Sequence, residues 1–391
     1  MKVGFVVQRC GREVNGGAES LCLQVARRMA MHWQTEIITT CARDYVTWQN
    51  SYPAGSEHID GTTIRRFPVD QPRDPQSFDQ LSADLRAKGA GTTLIEQENW
   101  MRAQGPVSTQ LLEYLRRERE NYDAFIFFGY LYATTYFGLP IVRDKAFLVP
   151  LAHDEWTIHL TMWNQFMTSP RAMIFSTSEE KEFFRRRFPD CGADGPVIGI
   201  GLEEPPSIDV MGFRRKYQLS EPFLLYVGRI DESKGCGELV SWFIRLREWH
   251  ANQLKLVLIG TEIMRLPYHP DIIHLGFVSE EEKWAAMAAC DWLVNSSLYE
   301  SLSIVLLETW LAGRPALVNG KSEVLAGHCR KSNGGLWYYD FKEWASAIAT
   351  IDESTKAKLG QQGRTYALRN YSWKRVEESY LTLLSPKIAR G

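Results

Sequence analysis

The 391-residue chain has no Cys-x-x-Cys, no Asp-x-Asp and no group of His and carboxylate residues at ligand spacing. A zinc ribbon and a site built around a divalent cation are therefore not indicated, and no metal is expected. The seven cysteines (Cys10, Cys22, Cys41, Cys191, Cys236, Cys290, Cys329) are odd in number and scattered, which argues against a disulfide framework and for a reducing, cytoplasmic setting. An excess of one charge sign is also lacking. Forty-five Lys plus Arg stand against 47 Asp plus Glu, a net charge of -2, without the cationic surplus that phosphate-backbone binding needs, so nucleic acid is not an expected partner. No leader is expected either, because the apolar run Val3 to Val7 is short and ends at Gln8 and Arg9. Ala124–Val142 carries no charge over a length that spans a bilayer, but Gly129, Thr134, Thr135, Gly138 and Pro140 interrupt it. A strand followed by a buried helix is expected there.

What the chain does have is length and apolar content. With 45% apolar and 24% charged residues it matches soluble globular proteins, and its size exceeds what one core serves, so two domains are expected. Short β-branched or aromatic runs alternate with helical patterns. Strands are predicted at Lys2–Gln8, Thr35–Cys41, Thr63–Val69, Ala124–Phe128, Ala146–Leu151, Met173–Ser176 and Val197–Ile200. A second series follows at Phe223–Val227, Lys255–Ile259, Ile272–Phe277, Trp292–Asn295 and Ala316–Val318. Gly201–Asp209, with Pro205-Pro206, is the linker between them. Runs such as FIFF and FLVPL are apolar at nearly every position, as strands covered on both faces must be. The expected fold is α/β, two consecutive doubly wound sheets with a ligand cleft facing their carboxyl ends. Asp70–Asn121 interrupts the alternation as an insertion, polar first and then helical, with Leu111, Leu112 and Leu115 on one face. It either shapes a substrate pocket or decorates the surface.

Three stretches carry chemistry. Arg9 to Glu19 leads from the first strand into a helix with Leu21, Val25 and Met29 on one face. Gly16 and Gly17 permit close backbone approach and the helix start offers N–H groups to a phosphate, although a plain tight turn explains the loop equally well. Gly228-Arg229-Ile230-Asp231-Glu232-Ser233-Lys234-Gly235 follows the strand that opens the second series. Arg229 and Lys234 together suit a diphosphate, since one forks onto oxygens and the other adds a compact charge; a solvated loop with Arg229 or Lys234 paired to Asp231 or Glu232 is the alternative. Asn295 to Ser303 precedes a helix, Ile304 to Leu311, that is apolar almost all round and stops at Gly313 and Pro315. Glu308 is thus a carboxylate in a buried helix, which requires a cation or hydrogen-bond donors such as a vicinal diol.

Gly16-Gly17-Ala18-Glu19, the Gly228-Arg229 to Lys234-Gly235 loop, and Glu300-x7-Glu308 ending in Ala312-Gly313-Arg314-Pro315 resemble, in order and spacing over nearly the whole chain, the retaining GT-B glycosyltransferases of family 4 (glycosyl transferases group 1). The resemblance implies two Rossmann-like domains facing a central cleft. Residues 1–205 would form the acceptor domain with insertion 70–121, residues 206–371 the nucleotide-sugar donor domain, and residues 372–391 a helix crossing back to the first domain. It implies that Arg229 and Lys234 bind the donor diphosphate, Glu308 the ribose and Glu300 the hydroxyls of the transferred sugar. Gly16, Gly17, Ser301, Leu302 and Ser303 would complete donor binding, and His153 would line the sugar pocket and join Arg229, Lys234 and Glu300 in catalysis. Ser301-Leu302-Ser303 stands where the family often has Gly-Phe-Gly, a departure that bears on donor-sugar choice.

The activity so implied is metal-independent transfer, with retained configuration, from a nucleotide sugar to a glycan, lipid-linked or small-molecule acceptor. No separate cofactor is expected, and from the resemblance a UDP-sugar is favoured over a GDP-sugar as donor. Rival readings are a GT-B sugar-nucleotide epimerase, a nicotinamide-dependent oxidoreductase using Asp44 as its ribose acid, and a catalytically silent binding protein. The absence of G-x-G-x-x-G after the first strand weighs against the oxidoreductase. Arg185-Arg186-Arg187 suits either a solvated helix face or peripheral contact with anionic lipid at the inner face of a membrane. Tyr130–Phe137 is a further candidate wall for the acceptor.

Overall fold

A computed structural model describes residues 1–14, 16–59, 61–191, 194–204, 207–249 and 253–385. The expected linker pair Pro205-Pro206 lies outside the described residues. The chain divides into two compact units, Met1–Ile200 together with the C-terminal segment from Val376, and Gly201–Arg375.

In the first unit the strands are β1 (Lys2–Arg9), β2 (Gln34–Thr40), β3 (Gly55–Ile59), β4 (Thr62–Phe67), β5 (Ala124–Phe128), β6 (Ala146–Val149) and β7 (Ala172–Met173). They lie in the order β3-β4-β2-β1-β5-β6-β7, parallel except for the β3–β4 hairpin. The central strands are covered on both faces, and Phe125, Ile126, Phe127 and Phe128 are fully buried, which is why FIFF needs no polar alternation. Towards the edge β4 alternates, with Thr62, Ile64 and Arg66 inward. The β3 strand was not expected from the sequence because Gly-Ser-Glu-His is exposed and polar, and only pairing with β4 makes it a strand. Conversely, Val197–Ile200 is not a strand. A single bridge joins Val197 to Phe175, and Gly199 at φ 71° turns the chain away.

The insertion contributes side chains to the core of the first unit. Asp74, Thr93 and Ser108 cap the helices Pro75–Lys88, Leu94–Gln104 and Thr109–Glu118, whose Leu85, Trp100, Met101, Leu111 and Leu115 enter the same core as Phe125 and Phe127. Tyr130–Phe137 packs in part on the same core: Tyr130 lies edge-on to Trp163 at 4.8 Å and Tyr136 stacks on Phe166 at 5.3 Å, while Leu131, Tyr132, Tyr136 and Phe137 stay half-buried. No described helix is long and apolar enough to cross a membrane. Glu377, on the last helix Trp373–Leu384, pairs with Arg28 and His32 of the first unit.

The second unit holds β8 (Phe223–Val227), β9 (Lys255–Ile259), β10 (Ile272–Gly276), β11 (Trp292–Asn295), β12 (Ala316–Asn319) and β13 (Gly335–Tyr338). Their order is β10-β9-β8-β11-β12-β13, all parallel. β13 was not expected from the sequence; Gly-Leu-Trp-Tyr is a run of only four residues and forms on β12. In both sheets the direction of winding reverses beside the first strand, between β1 and β5 and between β8 and β11. Such switch points open a crevice at the carboxyl ends of the strands.

Candidate functional site

At the switch point of the second sheet the loops after β8 and β11 meet. The β8 loop is fixed by its own backbone: Tyr226 Oη donates to the Arg229 carbonyl at 2.7 Å, and Asp231 accepts from the Lys234 N–H at 3.0 Å, capping a short turn. Arg229 Nε lies 3.2 Å from Asp231 Oδ2, the local ion pair foreseen for this loop. Gly235 then takes φ 71°, and a Cβ there would lie 2.4 Å from the Ser296 carbonyl oxygen. The two loops are therefore pressed together where only glycine fits. Ser296 Oγ adds a hydrogen bond to the Lys234 carbonyl at 2.9 Å, and Lys234 Nζ donates to Glu300 Oε1 at 2.9 Å.

This close approach makes a prediction. Gly235→Ala is expected to cost about 2–4 kcal/mol, from left-handed backbone strain plus overpacking. At Gly313, with φ 77°, an added Cβ would meet nothing within 4 Å; only the strain remains, so Gly313→Ala is expected to cost about 1–2 kcal/mol. Urea unfolding of both variants measures the difference, and equal costs would show that the Ser296 contact does not hold the loop.

Beyond Glu300, Ser303 sits at φ 63° and ψ 74° at the start of helix Ile304–Leu311 and gives that helix no side-chain cap. A serine thus occupies a left-handed position that glycine takes without strain. Asn295 Nδ2 donates to Ser303 Oγ at 3.1 Å and the Leu302 carbonyl lies 3.0 Å from His328 Nε2, so neighbouring side chains hold the turn in place. Glu308 is 9% exposed. Burial pushes its carboxyl above the usual range against the pull of Lys283, whose Nζ lies 3.1 Å from Glu308 Oε1. Glu308 Oε2 is buried with no hydrogen-bond partner among the described residues. The partner is thus a lysine from helix Glu280–Ala289, which sequence reading missed. Its only signal was a single cation in Glu-Glu-Glu-Lys at the start of an otherwise apolar helix.

In the first unit, Gly16 and Gly17 follow β1. The first packs against Glu19, since a Cβ on it would lie 2.1 Å from Glu19 Oε2, and the second faces open space. Glu19 does more than suit the helix dipole, for Arg9 Nε donates to its Oε1 at 2.5 Å in a buried pair. His153 follows β6, just past Leu151 at φ 54°, with Nδ1 3.6 Å from Glu155 Oε1. Tyr130 Oη donates to the same Glu155 oxygen at 3.0 Å. The His153 loop is anchored by Glu180, whose two carboxylate oxygens accept from the Ala152 and Ser176 N–H groups at 2.7 and 2.6 Å. Burial pushes Glu180 up to about 8 against these hydrogen bonds. Sequence reading missed this buried carboxylate, because Ser-Glu-Glu-Lys resembles any solvated helix start.

In the second unit Lys234 and Glu300 are thus in contact, Arg229 shares the loop of Lys234, and Ser301 to Ser303 lead into the helix that carries Glu308, while Gly16, Gly17 and His153 lie after strands of the first. Asp44 is not poised as a ribose ligand. Burial raises its carboxyl, but hydrogen bonds from Thr47, Val46 and Gln49 outweigh that and hold it low, spending both oxygens on its own turn. Within the triple arginine, Arg185 pairs with Asp194 at 2.9 Å and Arg187 donates to the Ile158 carbonyl at 3.0 Å. Among the described residues no three His, Cys, Asp or Glu side chains are grouped to hold a metal ion.

Comparison with known proteins adds to this geometry. Residues 221–353 match the family model of glycosyl transferases group 1. A lipopolysaccharide core biosynthesis glycosyltransferase, LpsE of Rhizobium meliloti, is 30% identical over 178 residues, 42% of this chain and 50% of that protein. An uncharacterized glycosyltransferase of Methanocaldococcus jannaschii is 27% identical over 184 residues, 42% of this chain and 46% of that protein. The chain spans about half the length of these curated relatives. Among solved structures, sucrose-phosphate synthase from Thermosynechococcus elongatus superposes with a TM-score of 0.73 at 17% identity, covering 98% of each chain. Anabaena HepE in complex with UDP-glucose superposes with a TM-score of 0.69 at 16% identity, covering 98% of this chain and 99% of that one. The fold they share with this chain is GT-B.

Proposed function

We propose that this chain, whose residues 221–353 match glycosyl transferases group 1 and whose fold is GT-B, is a retaining glycosyltransferase. It moves a sugar from a nucleoside diphosphate sugar to a hydroxyl of a glycan, lipid-linked or small-molecule acceptor. The observation that carries this reading is the 2.9 Å link from Lys234 to Glu300 across the switch point. It sets a cation for a diphosphate beside a carboxylate for sugar hydroxyls, on loops that the sheet itself aims at one crevice.

In this reading Arg229 and Lys234 meet the negative charge that grows on the diphosphate as the anomeric carbon–oxygen bond breaks, the role a divalent ion would otherwise fill. Glu300 accepts from the hydroxyls of the transferred sugar, and Ser301, Leu302 and Ser303 offer backbone N–H groups at a helix start without a side-chain cap. Glu308 accepts from the ribose. His153 is the first unit's candidate for contact with the sugar, and that unit takes the acceptor. With no nucleophilic carboxylate assigned, the acceptor hydroxyl attacks on the face the diphosphate leaves. Its proton passes to the departing phosphate oxygen, so configuration is retained. The UDP and glucose named with HepE support trying a UDP-sugar before a GDP-sugar.

Isothermal titration with UDP, GDP, ADP and dTDP without added metal tests this. One nucleotide is expected to bind, with Glu308→Ala and Arg229→Ala each weakening it by roughly 10- to 100-fold, the worth of a charge-assisted hydrogen bond. Binding that ignores both substitutions would place the donor elsewhere. Consumption of the donor sugar nucleotide without any acceptor would favour the epimerase instead.

A further inference from the structure

Glu308 has an asymmetry that its place in a ribose site does not by itself explain. One oxygen, Oε1, is held by Lys283 at 3.1 Å, while Oε2 is buried with no hydrogen-bond partner among the described residues. The side chains of Lys283 and Glu308 are 16% and 12% exposed, so both charges have lost most of their water. Alone, the carboxylate would take up a proton there rather than remain charged. A second carboxylate competes for the same cation: Lys283 Nζ lies 2.8 Å from Glu280 Oε2, whose side chain is 73% exposed.

Among the described residues, helices Glu280–Ala289 and Glu353–Asn370 pack on Ile304–Leu311, as do strands β11 and β12, which carry no Asp, Glu, Lys, Arg or His. From the first helix, Lys283 and Glu280 act on Glu308. From the second, Arg364 is turned to the Leu311 carbonyl and to Glu204, 2.7 Å away. Among the described residues Lys283 is therefore the cation that acts on Glu308. Burial works against its charge, yet Glu308 and Glu280 hold its pKa above the ordinary lysine value.

We propose that Lys283 is a positioning residue for nucleotide recognition: it keeps Glu308 ionised with Oε1 fixed, leaving Oε2 to accept from a ribose hydroxyl and so to select ribonucleotides over deoxyribonucleotides. The inference rests on the donor site proposed above and adds to it a residue and a selectivity. Its sign with pH follows directly. A proton on Glu308 competes with the hydroxyl, so the preference for ribose falls as pH drops through the pKa of Glu308. Removing Lys283 raises that pKa and moves the fall to higher pH. Removing Glu280 takes away a neighbouring negative charge and frees Lys283 for Glu308, which moves the fall to lower pH.

The test is titration with UDP and 2′-deoxy-UDP, or with GDP and 2′-deoxy-GDP if guanine is the base bound, from pH 5.5 to 9.5. The ratio of the two dissociation constants cancels the titration of the phosphates. Wild type is expected to favour the ribonucleotide by roughly tenfold at pH 7.5, the value of one hydrogen bond to a charged group. Lys283→Met should move the fall of the ratio to higher pH than in wild type. Glu280→Gln, at an exposed position that the fold does not need, should shift the midpoint the opposite way. Ratios unchanged in both variants, or midpoints moving together, overturn the proposal while the donor site stands. Failure of wild type to bind any of the four nucleotides overturns the donor site and this inference with it.

Discussion

Lys234→Ala is expected to lower sugar transfer by on the order of 10² to 10³ in kcat, the usual loss on removing one preorganised donor to developing charge. The fold should survive the change. Lys234 is fixed through its backbone, by the Asp231 cap, by Ser296 Oγ on its carbonyl and by Gly235 beyond it, and none of these needs the ammonium. Its side chain is 29% exposed and that of Glu300 is 17% exposed, so the stability worth of their pair is small, about 0–1 kcal/mol. An unchanged thermal transition with a collapsed kcat is therefore the expected signature. Lys234→Arg should recover only part of the rate, because a planar, delocalised guanidinium does not put its charge where a compact ammonium sits. Comparable kcat in Lys234→Ala and wild type would reduce Lys234 to a surface ion pair and remove the diphosphate from this loop.

The largest stability effect is expected in the first unit, at Arg9→Met. Arg9 and Glu19 are 6% and 5% exposed and joined at 2.5 Å, and Arg9 Nη1 also donates to the Arg43 carbonyl at 2.8 Å. The pair ties the end of β1 to the first turn of helix Gly17–Met29, with Gly16 packed on the carboxylate. Removing the guanidinium leaves Glu19 buried without its cation, which costs about 3–5 kcal/mol. For a unit of this size that lowers the melting temperature by about 10 °C. The double variant Arg9→Met with Glu19→Leu should recover most of the loss, because desolvation of the lone carboxylate, rather than absence of the attraction, dominates the single variant. A loss below about 1 kcal/mol in Arg9→Met would mean that water reaches the pair and that it is worth no more than a surface bridge.

The candidate site was legible to different depths. Arg229, Lys234, Glu300 and Glu308 were recognisable because short motifs fix their types and spacings, and the strand before each loop announced itself by an apolar run. Lys283 and Glu180 were not. Each sits in a charged tetrapeptide at a helix start, where a solvated face is the ordinary outcome, and nothing local reveals that the partner lies 25 residues away for Lys283 or 28 residues away for Glu180. The same reasoning applies to the candidate acceptor walls. Tyr130–Phe137 and the insertion helices carry aromatic and apolar side chains that serve a core as readily as a pocket, and their share in the core shows only once β5 lies beneath them.

By itself the sequence determined the parallel α/β class, because strands covered on both faces must be apolar at every position, and it determined which loops bear the cations and carboxylates. Long-range contact alone decided the rest. β3, polar and exposed, exists through its pairing with β4 rather than through its own propensity, and the four-residue β13 shows itself only beside β12. Gly235 must be glycine because Ser296, 61 residues on in the sequence, presses against it. The charge on Glu308 is set by a lysine on another helix, since a carboxylate's state depends on the cations and water within a few ångströms, and those distances are fixed only when the helices pack.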